Sequence, residues 1–173
     1  MITIEQKSPL RWMVAKTMAR AEKQVAEYCT RKGILAYLPL RRSVRRYPHR
    51  IKTFMVPMFP GYVFFQLDPI DKLLVQECRH TAMIIVPDDS MEELLVQELN
   101  DLQIFEQATA EGEVDVRPEI AEGKIVEIRT GPFMGMHGIV NRRKGHTRLT
   151  VNIELIGQSV TIELDVGEVE VEF

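Results

Sequence analysis

Short apolar runs separated by polar breaks organise the first hundred residues of the chain. Leu10-Arg11-Trp12-Met13-Val14-Ala15 predicts a strand. Residues 19–32 predict an amphipathic helix: Ala21, Val25 and Tyr28/Cys29 share one face, Arg20, Lys23, Glu27 and Arg31 lie elsewhere, and Gly33 stops it. Residues 34–38 predict a second strand, closed by Pro39. A third, over 53–56, leads into Pro57-Met58-Phe59-Pro60-Gly61-Tyr62-Val63-Phe64-Phe65. Residues 70–78 suggest a short helix and 82–86 an edge strand. Met91, Leu94, Leu95, Leu99, Leu102 and Phe105 then recur at helical spacing behind Ser90, the expected N-cap, with Glu92 and Glu93 in the first turn. The order β-α-β-β-α-β plus a terminal helix is an α+β fold, an α/β sandwich of about 105 residues.

The last third changes period. Ile125-Val126-Glu127-Ile128 and Gly138-Ile139-Val140 flank the turn Thr130-Gly131-Pro132-Phe133-Met134-Gly135. Leu149-Thr150-Val151-Asn152-Ile153 and Val160-Thr161-Ile162-Glu163-Leu164 follow, separated by Gly157-Gln158-Ser159. Four or five short strands this close together predict a small barrel that closes its own edges, with Phe133 as its bulky anchor. Its β-branched residues favour a permanent β structure. Between the two patterns, residues 109–118 are acidic, carry Ala, Gly and Pro, and lack hydrophobic periodicity. They predict a flexible linker. The expected domains are therefore 1–108 and 119–173, joined by 109–118.

Composition adds a compartment and a polarity. The 173 residues, 45% hydrophobic, are enough for one or two cores. Cys29 and Cys78 lie far apart in helix-like segments and read as reduced packing residues of a cytoplasmic protein. No apolar stretch suits a signal peptide or spans a membrane, so a soluble chain, taken as a monomer, is expected. The net charge of −3 hides an asymmetry: residues 1–60 hold 13 Lys or Arg against 3 acids, and the remainder holds 9 against 22. One half is built to meet a polyanion. The charge concentrates in residues 41–52, where six of twelve residues are basic, none is acidic, and Tyr47, Pro48 and His49 are interleaved.

Two motifs carry a family resemblance. The Gly-Pro-Phe turn followed by a Gly-hydrophobic-Val strand resembles the KOW motif of ribosomal proteins and NusG-type transcription factors. The strand Trp12-Met13-Val14-Ala15, the helix after it, and Phe59-Pro60-Gly61-Tyr62 before a strand resemble the NusG N-terminal (NGN) domain. The tetrad is intact, while Met13 stands where family members carry Tyr. Both motifs occur in family order, so the resemblance covers nearly the whole chain.

The resemblance implies a transcription elongation or antitermination factor that docks on the RNA polymerase clamp and suppresses pausing. No bond is made or broken, so neither an enzyme nor a cofactor is implied. The polymerase would meet Trp12, Phe59, Pro60, Tyr62 and Phe64. Alternation places Tyr62 and Phe64 on a groove face, with Val63 and Phe65 in the core. Residue type alone leaves core burial open for Trp12 and for all four aromatics. The basic segment would lie near upstream or non-template DNA, through Arg42, Arg45, Arg46 and Arg50; Lys16, Arg20 and Lys23 extend the positive face. In the barrel, Phe133, Ile156 and Gln158 mark the partner site, where a ribosomal protein is a possible ligand. Family members carry Ile-Phe-Gly-Arg where this chain has Leu155-Ile156-Gly157-Gln158. Losing the Arg removes a bidentate anchor and weakens the expectation of Rho binding. The basic patch Arg142, Arg143, Lys144, His146 and Arg148 is a candidate for RNA, or simply an exposed turn.

No phosphate loop, activated nucleophile or metal-ligand spacing links His49, His80, His137 and His146. The altered barrel loop and the basic segment lean toward a specialised paralogue rather than a housekeeping factor. An RNA-binding KOW protein of the ribosome or its assembly is the alternative from another class, and the acidic second half speaks against it.

Overall fold

Residues 2–47, 50–111, 125–127, 133–143 and 146–164 are described by a computed structural model. They form two compact units, Met1–Val96 and Gln97–Phe173, and the division falls inside one helix.

In the first unit, strands β1 (Arg11–Thr17), β2 (Leu35–Tyr37), β5 (Tyr62–Leu67) and β6 (Thr81–Ile85) make a sheet of order β2-β5-β1-β6, antiparallel at every pairing. Helix α1 (Glu22–Arg31) and the short α2 (Leu73–Gln76) cover one face. There Val25, Cys29 and Val75 pack with Met13, Ala15, Val63 and Phe65. Trp12, Val14 and Phe64 belong to the opposite face by alternation, and they too are fully buried. Helix α3 (Asp89–Glu111) starts against this sheet: Glu92 Oε1 accepts the Trp12 amide at 2.9 Å, and Arg11 pairs with Asp89 and Glu92.

Several boundaries differ from the sequence expectation. The N-terminus of α3 is capped by Asp88, not Ser90: its Oδ1 accepts the Met91 amide and the Ser90 hydroxyl, each at 2.9 Å. Those bonds stabilise the charged form and hold its carboxyl below the usual range. The helix continues through Glu111, so residues 109–111 of the expected linker are helical, and 112–118 lie outside the described residues. The basic segment, for which the sequence pattern predicts no strand, is built into paired strands. It forms a separate two-stranded ribbon of β3 (Leu40–Tyr47) and β4 (Arg50–Pro57).

In the second unit, β7 (Ile125–Glu127), β8 (His137–Arg143), β9 (His146–Ile153) and β10 (Gln158–Leu164) form an antiparallel meander in chain order. Leu99, Leu102 and Phe105 of α3 are buried here, as are Phe133, Met136, Val151 and Ile153 of the sheet region. Among the described residues, no helix is long and apolar enough to cross a membrane.

Candidate functional site

The Phe-Pro-Gly-Tyr segment is a turn whose backbone is tied from two sides. Gly61 adopts φ +90°, which residues with a Cβ rarely tolerate. Its amide donates to Glu22 Oε1 at 2.7 Å, and its carbonyl accepts from the Thr17 amide at 2.8 Å. Glu22, the first residue of α1, is itself buried, so the turn is clamped between α1 and the end of β1. The Phe59 ring stands edge-on to Phe64, 6.3 Å between centroids, and the Tyr37 ring centroid lies 6.4 Å from that of Phe64. These separations suit favourable aromatic pairing.

Exposure at this turn corrects the sequence expectation. Phe59 and Phe64 are 1% and 0% exposed, so the open groove pair of Tyr62 and Phe64 does not form in this chain. Trp12 is also 0% exposed, and its indole Nε1–H donates to the Glu5 carbonyl at 3.1 Å. α1 and α2 cover one sheet face, and on the other Trp12, Val14 and Phe64 are buried as well. Pro60 stays exposed and Tyr62 half-buried; Lys16 and Arg20 are exposed on the neighbouring strand and turn.

The β3–β4 ribbon carries the densest positive charge, and its register sorts that charge. Directly paired residues share a face in an antiparallel ribbon. Pairing of Arg41 with Val56, Ser43 with Phe54, and Arg45 with Lys52 gathers Arg41, Arg45, Lys52 and Phe54 on one face, with Arg50 at its tip. Arg42 pairs with Met55 and shares the opposite face with Ile51. The expected quartet is therefore divided, Arg45 and Arg50 on one side and Arg42 on the other. The side chain of Arg46 lies outside the described residues, as do those of Tyr47, Pro48 and His49. Arg41, Lys52 and Phe54, which the sequence reading passed over, complete the first face. The Arg45 guanidinium sits 5.8 Å from the Phe54 ring centroid, a cation–π distance. Phe54, Met55 and Ile51 are all substantially exposed. Lys23 of α1 donates from Nζ to the Met55 carbonyl at 2.9 Å, so its charge buttresses the ribbon base instead of pointing away from it.

In the second unit, Phe133 is 1% exposed and lies 6.2 Å from the Phe105 ring of α3, so it is a core residue there rather than an open anchor. Ile156 and Gln158 are half-buried around Gly157, whose φ of +59° turns the chain into β10. That loop starts at Glu154, whose amide donates to both carboxylate oxygens of Glu98, at 3.0 and 3.2 Å. One turn along α3, Asp101 Oδ1 accepts the His137 amide at 3.2 Å and lies 3.6 Å from His137 Nδ1. Burial pushes the Glu98 carboxyl up to about 7 and that of Asp101 up to about 6. The side chains of Arg142, Arg143, Lys144, His146 and Arg148 lie outside the described residues.

Among the described residues, no cluster of His, Cys, Asp or Glu has the arrangement of a metal site. Cys29 and Cys78 are free and buried; burial, with Cys78 nearby, pushes the Cys29 thiol up to about 11, where a reactive thiolate is scarce.

A family model described as "Transcription termination factor nusG" matches residues 10–102. Among solved structures, the chain is similar to one described under "Domain interaction in Thermotoga maritima NusG". Identity is 20% over 93% of this chain and 96% of that one, with a TM-score of 0.51. A chain of the "MjSpt4:Spt5 complex conformation B" is 19% identical over 92% and 95% of the two chains, with a TM-score of 0.29. No curated protein matches.

Proposed function

The chain belongs to the NusG family of transcription factors, and from that premise we propose a transcription elongation and antitermination factor. It docks on the RNA polymerase clamp, suppresses pausing, and recruits partners through a C-terminal KOW barrel. It works as a cytoplasmic monomer, without catalysis or cofactor, and as a specialised paralogue. The domains are residues 1–108 and 119–173, with 109–118 between them. The observation that carries this reading is the family match, which spans the first-unit sheet, α1, the tetrad and the ribbon.

The site geometry supports a division of labour. Pro60 and Tyr62 are the tetrad members whose side chains retain surface, so they make the polymerase contact. Trp12, Phe59 and Phe64 hold that turn from below. The ribbon face of Arg41, Arg45, Arg50 and Lys52 takes upstream or non-template DNA. Its cations neutralise phosphates, and Phe54 offers a platform on which a base can stack. Lys16 and Arg20 lengthen the same positive tract, and Arg42 and Arg46 serve it from the ribbon's other strand positions. In the barrel, Ile156 and Gln158 border the loop for a ribosomal protein, and Phe133 supports it from the core.

The test is retention on reconstituted RNA polymerase elongation complexes. The wild type should be retained, and Tyr62→Ala, checked for its fold by circular dichroism, should be lost. A folded wild type that fails to bind, with or without exposed non-template DNA, would overturn the assignment.

A further inference from the structure

The carboxylates of Glu98 and Asp101 sit in the apolar stripe of α3, where a helix packed on a sheet ordinarily carries aliphatic residues. Leu95, Leu99 and Leu102 flank them and are fully buried, and both acids are themselves below 10% exposed. Each accepts a backbone N–H from the second-unit sheet region: Glu98 from Glu154, at the start of the loop before β10, and Asp101 from His137, at the start of β8. Around these bonds lie the Phe105–Phe133 ring pair and Ile104, whose Cδ1 would stand 3.8 Å from a Cβ placed on Gly135. The second half of α3 thus behaves as a ligand of the sheet, seated by two acids three residues apart.

We propose that this seat is a proton-linked latch, closed most firmly when Glu98 and Asp101 carry a proton and loosened as they ionise. A protonated carboxyl keeps one oxygen free to accept the backbone N–H, so the hydrogen bond survives protonation. An ionised carboxylate keeps the bond and adds the cost of a charge held out of water. The groups facing Glu98 are the Glu154 carboxylate from the sheet side and Asp101 on its own helix, both of which add repulsion as they ionise. The group facing Asp101 is the His137 imidazole, whose Nδ1 is buried without a hydrogen-bond partner.

The linkage runs in one direction. The seated Glu98 titrates near 7, above the ordinary value of 4.5, so the seat is strongest below 4.5 and weakens as pH rises through 7. Between pH 5.5 and 8.5, Glu98 alone should lower the seating equilibrium about thirtyfold, and Asp101, which burial also raises, lowers it further in the same direction.

The experiment is amide hydrogen exchange of the full chain, read by NMR at His137 and Glu154 and corrected for the intrinsic pH dependence of exchange. Wild-type protection should fall at least tenfold from pH 5.5 to 8.5. Glu98→Gln keeps the shape and an acceptor oxygen but cannot ionise; it should hold protection at pH 8.5 and flatten most of the pH dependence. His137→Gln separates the imidazole, and most of the slope should survive it. A wild-type profile that is flat, or one equally steep in the Glu98→Gln, Asp101→Asn double variant, would overturn the proposal.

Discussion

Two aromatic-bearing segments, adjacent in sequence, meet opposite fates. The segment from Phe59 to Phe65 is apolar and sinks into the first unit, with Phe59, Val63, Phe64 and Phe65 essentially inaccessible. The ribbon just before it, from Leu40 to Pro57, stands with Ile51, Phe54 and Met55 in water and a row of cations beside them. The difference lies in what covers each pairing. Strand β5 is a central strand between β2 and β1, with helices beyond the sheet, whereas β3 and β4 pair only with each other among the described strands. Burial assigns Phe59, Val63, Phe64 and Phe65 to stability. The second keeps Ile51, Phe54 and Met55 exposed, which is why the proposed nucleic-acid contact is put there.

The sharpest way to break this contrast is to truncate one aromatic from each side. Phe64→Ala removes a fully buried ring and should cost about 3–5 kcal/mol in chemical denaturation. Phe54→Ala on the ribbon should move stability by about 0.5 kcal/mol or less. Equal losses would mean that the ribbon is as deeply packed as the sheet. The same reasoning makes Phe64 a poor probe of polymerase contact, because an unfolded variant loses every partner; Tyr62 is the better one.

A second, smaller effect tests the clamp on the tetrad. Glu22→Ala strips the Gly61 amide of its acceptor in a buried place, which should cost about 1–3 kcal/mol. Gly61→Ala forces a Cβ into φ +90° with no atom within 4 Å to clash, so its cost is backbone strain alone, about 1–2 kcal/mol. Urea midpoints measure both. A neutral Glu22→Ala would show the turn to be held by its aromatics rather than by the helix.

The order of elements was legible because each buried strand or helix face carries an apolar signature of its own. Burial of Trp12 and Phe64 was harder to see, and the signal that could have shown it is continuity. Trp12-Met13-Val14-Ala15 and Val63-Phe64-Phe65 are unbroken apolar runs, the mark of a strand covered on both faces, not of one with an open groove. The ribbon failed to register for the opposite reason: with both faces wet, six cations obscure any period of two. Asp88 and Ser90 are both competent caps, and only the local backbone chooses between them. Glu98 and Asp101 look like ordinary helix acids until their place within the Leu95-Leu99-Leu102 stripe is noticed. Their backbone partners lie 56 and 36 residues away, beyond any local pattern.

A third prediction compares function with stability on the ribbon. Replacing Arg41, Arg45 and Lys52 together by Ala should leave the unfolding midpoint nearly unchanged while weakening binding to single-stranded DNA. The salt dependence is the diagnostic: the slope of log K against log salt should fall by about 0.7 for each phosphate no longer neutralised, or roughly two in all. An unchanged slope would remove the ribbon from the nucleic-acid surface, whatever happens to affinity.

The smallest effect separates the two ribbon faces. Arg45 and Arg42 are three residues apart, both exposed, and equal in charge, so a purely electrostatic surface would treat them alike. Register puts Arg45 beside Lys52 and over the Phe54 ring, and Arg42 beside Met55 on the other face. If nucleic acid lies on the Phe54 face, Arg45→Ala should weaken binding several-fold more than Arg42→Ala at the same ionic strength. Arg45→Lys should recover only part of the loss, since an ammonium keeps the charge but not the planar stack. Fluorescence anisotropy with a labelled oligonucleotide resolves a difference of this size. Equal losses for Arg45→Ala and Arg42→Ala would mean that the ribbon acts as an unoriented positive tip, and its register would then carry no recognition.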